Sequence, residues 1–208
     1  MIAPQDCQLC PRLAAYRIEQ KSRHPDYHCQ PVAGFGDEGS RLLIVGLAPG
    51  LHGANATGRP FTGDASGQML FEMLFRYGFA SKPDARSSHD DMRLFDCRIT
   101  NAVKCLPPNN RPNGDEISCC NAYLRSEIAN LKPAAVILAL GAIAHRAILK
   151  ALDLPPSRYR FGHLAEYGLP GGLVFIDSYH CSRYNINTGR LDRNMLENVF
   201  DRVTELLR

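Results

Sequence analysis

Four short apolar runs mark the chain: Leu42–Gly46, Ile99–Val103, Ala135–Leu140 and Leu173–Asp177. Each is continuous rather than alternating, which predicts strands covered on both faces, as in a parallel sheet. Between the runs, apolar residues recur at helical spacing. Gly67–Tyr77 carries Met69, Leu70, Met73 and Leu74; Asp115–Leu131 carries Ile117, Leu124, Ile128 and Leu131. Ala142–Leu152 is a third such segment. Arg193–Leu207, with Leu196, Val199, Phe200, Val203 and Leu207, predicts a closing amphipathic helix. Alternating strands and helices predict a doubly wound α/β fold. The first forty residues are less regular, apart from a short helix predicted over Pro11–Glu19. The polar stretch Ala80–Asp91, which contains Pro83, predicts an exposed loop. There is no internal repeat and no low-complexity linker, so residues 1–208 read as one domain.

The composition fits that picture, with 45% hydrophobic and 22% charged residues among 208. No apolar run approaches the length of a membrane span. The opening residues lack a basic start followed by an apolar stretch, which predicts no secretion signal and a cytoplasmic protein. A net charge of +3 does not by itself indicate a polyanionic partner. Arg12, Arg17, Lys21 and Arg23 cluster early, and Arg59, Lys104, Arg111, Arg183 and Arg190 fall in or beside the loops discussed next. Taken singly, each reads as a solvated surface cation.

In a parallel sheet, ligands bind beyond the carboxyl ends of the strands. Three of the four segments there are long and rich in Gly, Asn, His and Arg: Gly46–Asp64, Thr100–Pro108 and Ser178–Leu191. Such loops on a rigid sheet usually carry function. No dinucleotide or Walker glycine motif occurs, which argues against a nucleotide cofactor. Taken alone, Phe61 reads as core, Asn101 as a turn cap and His180 as a satisfied buried histidine. Asp64 precedes a helical stretch and reads equally well as an N-cap or as a reactive carboxylate. Only their placement at one end of one sheet lifts the functional reading. The eight cysteines are many for a reducing compartment, where they act as metal ligands or buried thiols. Cys7 and Cys10 form C-x-x-C, Cys105 follows Asn101, and Cys119 and Cys120 compete for a fourth place. Four such thiolates suit zinc or a [4Fe–4S] cluster on ligand grounds. Cys29, Cys97 and Cys181 read as small buried thiols.

Taken together, C-x-x-C-P-R-L at 7–13, G-L-A-P-G at 46–50, T-G-R-P-F-T-G-D at 57–64 and N-T-G-R-L at 187–191 resemble the family 5 uracil-DNA glycosylases. These are the broad-specificity branch of the iron–sulfur uracil-DNA glycosylases, and the resemblance covers nearly the whole chain. It implies a three-layer αβα fold with a short central parallel sheet. It implies a [4Fe–4S] cluster on Cys7, Cys10, Cys105 and Cys120 that pins the N-terminal segment near the DNA. Phe61 is then expected to stack on a flipped base, Asn101 to read its edge, and His180 to face the carbonyl that gains charge as the bond breaks. The backbone of Leu47, Ala48 and Gly50 is expected to line the pocket. Asp64, or else Asn55, is expected to orient water or steady the sugar. The expected partner is DNA containing uracil or another deaminated base, bound by a monomer, with Arg59, Arg183 and Arg190 as DNA contacts.

The uracil-specific sister family carries Glu at the position of Leu47, so an apolar residue there fits the broader branch. One departure concerns the late motif, where the family's His-Pro-Ser is His180-Cys181-Ser182; proline would fix the backbone and cysteine does not. Two other readings stand beside this one: a non-catalytic iron–sulfur protein that binds nucleic acid, and a zinc-stabilised α/β hydrolase acting on a small molecule.

Overall fold

The computed structural model describes all residues from Met1 to Arg208. Six strands form one sheet: β1 (Phe35–Gly36), β2 (Leu42–Gly46), β3 (Cys97–Asn101), β4 (Val136–Leu140), β5 (Glu166–Gly168) and β6 (Val174–Ser178). Their order is β1-β3-β2-β4-β6-β5. The four inner strands are parallel, and the two edges are antiparallel. The helices are α1 (Pro11–Arg23), α2 (Ala54–Thr57), α3 (Ala65–Arg76), α4 (Gly114–Ala129), α5 (Ala142–Ala151), α6 (Arg183–Asn187) and α7 (Arg193–Leu206). No helix is long and apolar enough to cross a membrane.

Side chains alternate across a strand, so each continuous apolar run feeds two cores. Leu42, Ile44, Ile99, Val136, Leu138 and Ile176 face one way and pack with Leu70, Phe71, Leu74, Leu196, Val199 and Phe200 from α3 and α7. Leu43, Val45, Ile137, Ala139 and Phe175 face the other way, against Leu124, Ile128, Ala144, Ala147 and Ile148 from α4 and α5. The result is the three-layer α/β arrangement. A third, small cluster of Leu13, Val103, Cys105, Cys120 and Tyr123 joins α1 to α4 and to the segment after β3. The buried Arg17 ties the N-terminal segment to α1 by donating to the carbonyls of Gln5 (2.9 Å) and Cys7 (2.6 Å).

Several sequence expectations are corrected. β3 lies two residues earlier than Ile99–Val103. Ala102 and Val103 are buried too, and their amides bond to the carbonyls of Gly46, the last residue of β2, and of Leu47 just beyond it. β1 and β5 are two and three residues long and carry no periodic signal. α1 runs on to Arg23 through polar residues, and α6 is a single turn capped by Ser182. The stretch Ala80–Asp91 is irregular but not simply exposed: Ala80 bridges to Leu94, Ala85 is buried, and Asp90 pairs with Arg59.

Leu138 lies at the centre of β4 with no exposed surface. Leu138→Ala is expected to lower stability by about 2–5 kcal/mol in urea unfolding, through lost burial plus a residual cavity. A loss under ~1 kcal/mol would contradict the packing described.

Candidate active site

Chain order along the inner sheet reverses between β2 and β4, because β3 lies on one side of β2 while β4 and β6 lie on the other. A crevice is expected outside the carboxyl ends at such a switch point. A cleft of about 440 Å³ occupies it. Leu47, Ala48 and Gly50 line it from the segment after β2, and Leu140, Gly141 and Ala142 line it from the junction of β4 and α5. Phe61, Asp64, Asn101 and His180 reach it from three chain segments.

Each of these four side chains has an identifiable support. Phe61 has a backbone φ of 53°, in the left-handed region that an aromatic residue seldom enters. It is wedged there. A Cβ on Gly67 would lie 1.7 Å from the Phe61 carbonyl oxygen, so α3 packs directly onto the Phe61 backbone. A Cβ on Gly46 would lie 2.5 Å from Asn101 Oδ1 and 2.6 Å from the Phe61 ring, so the last residue of β2 leaves room for both side chains. Asn101, the last residue of β3, is almost fully buried. Asp64 caps α3: its Oδ1 accepts from the Gly67 amide at 2.9 Å, while Oδ2 lies beside Gly50 and Gly53. It is therefore both the N-cap and a wall of the cleft. The His180 ring is stacked near Phe61, with centroids 5.8 Å apart and planes at 25°. Burial lowers the His180 pKa, against the opposing pull of the Asp64 charge, so the imidazole is neutral near pH 7.

Cys181 answers the question raised by the missing proline. Its buried thiol donates to the Ser66 carbonyl at 3.3 Å, and Asn185 Nδ2 donates to the His180 carbonyl at 2.8 Å. Burial pushes the Cys181 thiol up to about 12, which keeps it protonated as a donor. The late loop is thus tied to α3 without a proline.

Asn55 is buried away from the cleft, and its Nδ2 donates to Cys29 Sγ at 3.4 Å. Of the two expected water-positioning groups, only Asp64 lines the cleft. Arg190 lies at the cleft with its guanidinium 4.7 Å from the Tyr179 ring centre. Arg183 is exposed on α6. Arg59 is a correction: it is buried, its two terminal nitrogens donate to both Asp90 oxygens at 2.8 and 2.7 Å, and Nε donates to Thr62 Oγ1. It also covers the Phe35 ring at 4.8 Å. A guanidinium so engaged braces the Phe61 loop and is unavailable to a phosphate. The sequence reading missed Tyr179 and Phe161. Tyr179 was marked only by standing next to His180. Phe161 comes from a connection with no signal at all; it is held edge-on to the buried His145 (5.7 Å), whose Nδ1 lies 2.9 Å from Asp177.

The cysteines gather at the third core cluster. Cys105 and Cys120 are buried in it, Cys10 packs against it, and Cys7 Sγ is 3.8 Å from Tyr123 Oη. Burial, with mutual repulsion among the thiolates, pushes Cys10 up to about 12, and burial does the same to Cys105. Cys119 is exposed and Cys120 is not. These thiols share one space, yet no three His, Cys, Asp or Glu side chains converge tightly enough for a single metal ion. The donor set is all-thiolate and needs compensating positive charge to ionise.

Comparison with known proteins places this arrangement. The family model of the uracil DNA glycosylase superfamily matches residues 33–204. A type-5 uracil-DNA glycosylase of Thermus thermophilus is 46% identical over 93% of this chain and 90% of its own length. A type-5 uracil-DNA glycosylase of Pyrobaculum aerophilum is 42% identical over 95% of this chain and 87% of its own. A type-4 uracil-DNA glycosylase of Thermotoga maritima is 34% identical over 81% of this chain and 79% of its own.

The Arg59–Asp90 brace yields a pH test. Burial alone would raise the Asp90 carboxyl, but Arg59 and the amides of Met92, Arg86 and Ser87 hold it well below the usual range. A depressed carboxylate contributes stability that is present above its unfolded pKa, about 3.9, and is lost as pH falls through the lower folded value. Asp90→Asn is therefore expected to cost about 3 kcal/mol at pH 7, by stranding a buried guanidinium. The gap between wild type and variant is expected to narrow progressively as pH is lowered below 4. A gap independent of pH in thermal unfolding would refute the pairing.

Proposed function

The chain belongs to the uracil DNA glycosylase superfamily, in company with its type-5 members, and from that premise we propose that it flips uracil and other deaminated bases out of DNA into this cleft and hydrolyses the N-glycosidic bond there. It is a DNA-repair glycosylase, a hydrolase of N-glycosyl bonds that leaves an abasic site. The reading as a non-catalytic binding protein falls away, since its relatives are glycosylases over nearly the full chain. The observation that carries the mechanism is the convergence of Phe61, Asn101, Asp64 and His180 on one cleft.

Breaking the bond leaves a cation-like sugar and an anionic base, so the site must treat the two ends differently. Phe61 offers a flat wall on which the base stacks, a contact that contributes on the order of 1–3 kcal/mol. Asn101 presents a donor and an acceptor to the base edge. The neutral His180 donates an N–H to the base carbonyl as negative charge builds on it. Asp64 supplies the negative end, steadying the positive sugar and orienting the attacking water. It lies at the α3 N-terminus, the positive end of the helix dipole, and accepts there from the Gly67 amide. Leu47 puts no carboxylate over the base, so the pocket does not discriminate through one. This admits hypoxanthine, xanthine and related deaminated bases beside uracil.

The late loop supplies the DNA contacts. Arg183 and Arg190 meet phosphates, and Tyr184, 73% exposed on α6, enters the gap left by the flipped base. Cys7, Cys10, Cys105 and Cys120 hold a [4Fe–4S] cluster. The cluster supplies no chemistry to the cut and fixes the N-terminal segment to the loop after β3. The enzyme acts as a single-domain monomer in the cytoplasm, where thiols stay reduced and available to iron.

The test is a duplex oligonucleotide with one uracil or hypoxanthine, treated with protein and then with hot alkali. Breaks are expected only after alkali. His180→Ala and Asn101→Ala are each expected to lower the single-turnover rate about 10²–10³-fold. No breaks from protein with its metal content intact would overturn the reading. In the same system, Arg190→Ala is expected to reduce the salt dependence of binding by about one phosphate contact. An unchanged slope would remove Arg190 from the DNA interface.

A further inference from the structure

Lys104 reads in the sequence as one more loop cation, yet only 3% of its side chain is exposed. Its ammonium has three protons and three acceptors. It donates to Glu127 Oε2 at 2.7 Å, to the Asn101 backbone carbonyl at 3.0 Å, and to Thr100 Oγ1. Glu127, on α4, accepts in turn from Thr100 Oγ1 at 3.0 Å and lies 3.6 Å from Arg98. Arg98 and Thr100 alternate with Asn101 along β3, so their side chains point to the α4 layer. The Asn101 side chain points to the opposite face, beside Gly46 and Phe61. The buried charge cluster therefore grips Asn101 from behind, through its backbone.

Stability alone does not explain such a cluster. Burying a Lys–Glu pair costs desolvation that its attraction barely offsets, and apolar residues of equal volume commonly do as well or better. What an apolar side chain could not do is hold a carbonyl in one orientation. We propose that Lys104 is a positioning residue for base recognition: it fixes the Asn101 peptide so that the Asn101 amide is aimed into the cleft. The backbone amide of Lys104 also donates to Cys120 Sγ at 3.5 Å, and Cys105 is the next residue, so the same position joins the cysteine group to the residue that meets the base. This inference rests on the reading of Asn101 as the group that meets the base edge.

A double-mutant cycle tests it, since only a residue acting through Asn101 loses its effect when the Asn101 amide is gone. The readouts are the single-turnover rate and the duplex affinity, on purified proteins of equal metal content. Lys104→Met is expected to lower the rate about 10–100-fold, as slight misplacement of a reacting group does, with affinity changed less than about twofold. In the Asn101→Ala background the same substitution is expected to cost less than about twofold in rate. An equal loss in both backgrounds would overturn the proposal and leave Lys104 a structural residue. If Lys104→Met does not fold, Thr100→Val, which removes one acceptor, goes through the same cycle with a smaller loss of the same pattern expected. Should Asn101→Ala alone keep the full rate, the base-reading role of Asn101 fails and the proposal falls with it. Parallel losses instead overturn only the Lys104 link.

Discussion

Phe61 has a backbone angle that an aromatic residue adopts only when its surroundings leave no alternative, and much of the cleft is built around enforcing it. From below, Gly67 lets the first turn of α3 rest on the Phe61 carbonyl. From the side, Gly46 ends β2 without a side chain, so that the Phe61 ring and Asn101 occupy the vacated space. From outside, Arg59 holds Thr62 and is itself held by Asp90, thirty-one residues away. The strain is local, and the restraints come from three different parts of the chain. Such an arrangement keeps an aromatic surface at a fixed height above the strand ends, where the His180 ring can lie nearly parallel to it.

The charges are distributed with the same economy. The one carboxylate in the cleft is tied to a helix N-terminus, which fixes its place. The one histidine in the cleft has its pKa lowered by burial, so it presents an N–H donor without a permanent positive charge. Two other loop cations are buried in pairs away from the cleft, Arg59 with Asp90 and Lys104 with Glu127, while Arg190 stands at its rim against Tyr179.

Much of this was legible in the sequence where a pattern repeats. The four inner strands, the long helices and their order follow from periodicity, because two cores must be filled from alternate residues of each strand. The cleft residues Phe61, Asp64, Asn101 and His180 follow from a rule about strand ends and from motifs whose combination is specific. What escaped detection has no local signature. β1 and β5 are too short to show a period. Arg59 looks like a free loop cation because its partner Asp90 belongs to a stretch that reads as plain loop. Phe161 reaches the cleft only through tertiary packing on His145. Periodicity did not separate Cys119 from Cys120, since both are helical neighbours of the buried Tyr123; in the fold Cys120 is buried and Cys119 is exposed.

The cleft is assembled from strand ends that are contiguous in the sheet but far apart in the chain, from Leu47 to Arg190. β2, the first of the inner strands to be synthesised, ends up between partners that arrive much later. A high contact order of this kind makes the parallel sheet slow to form, since loop closure must precede the contacts that reward it. His180 and the late loop follow all six strands in chain order. The cleft walls from the end of β2, the end of β3 and the late loop therefore come together only with completion of the whole sheet.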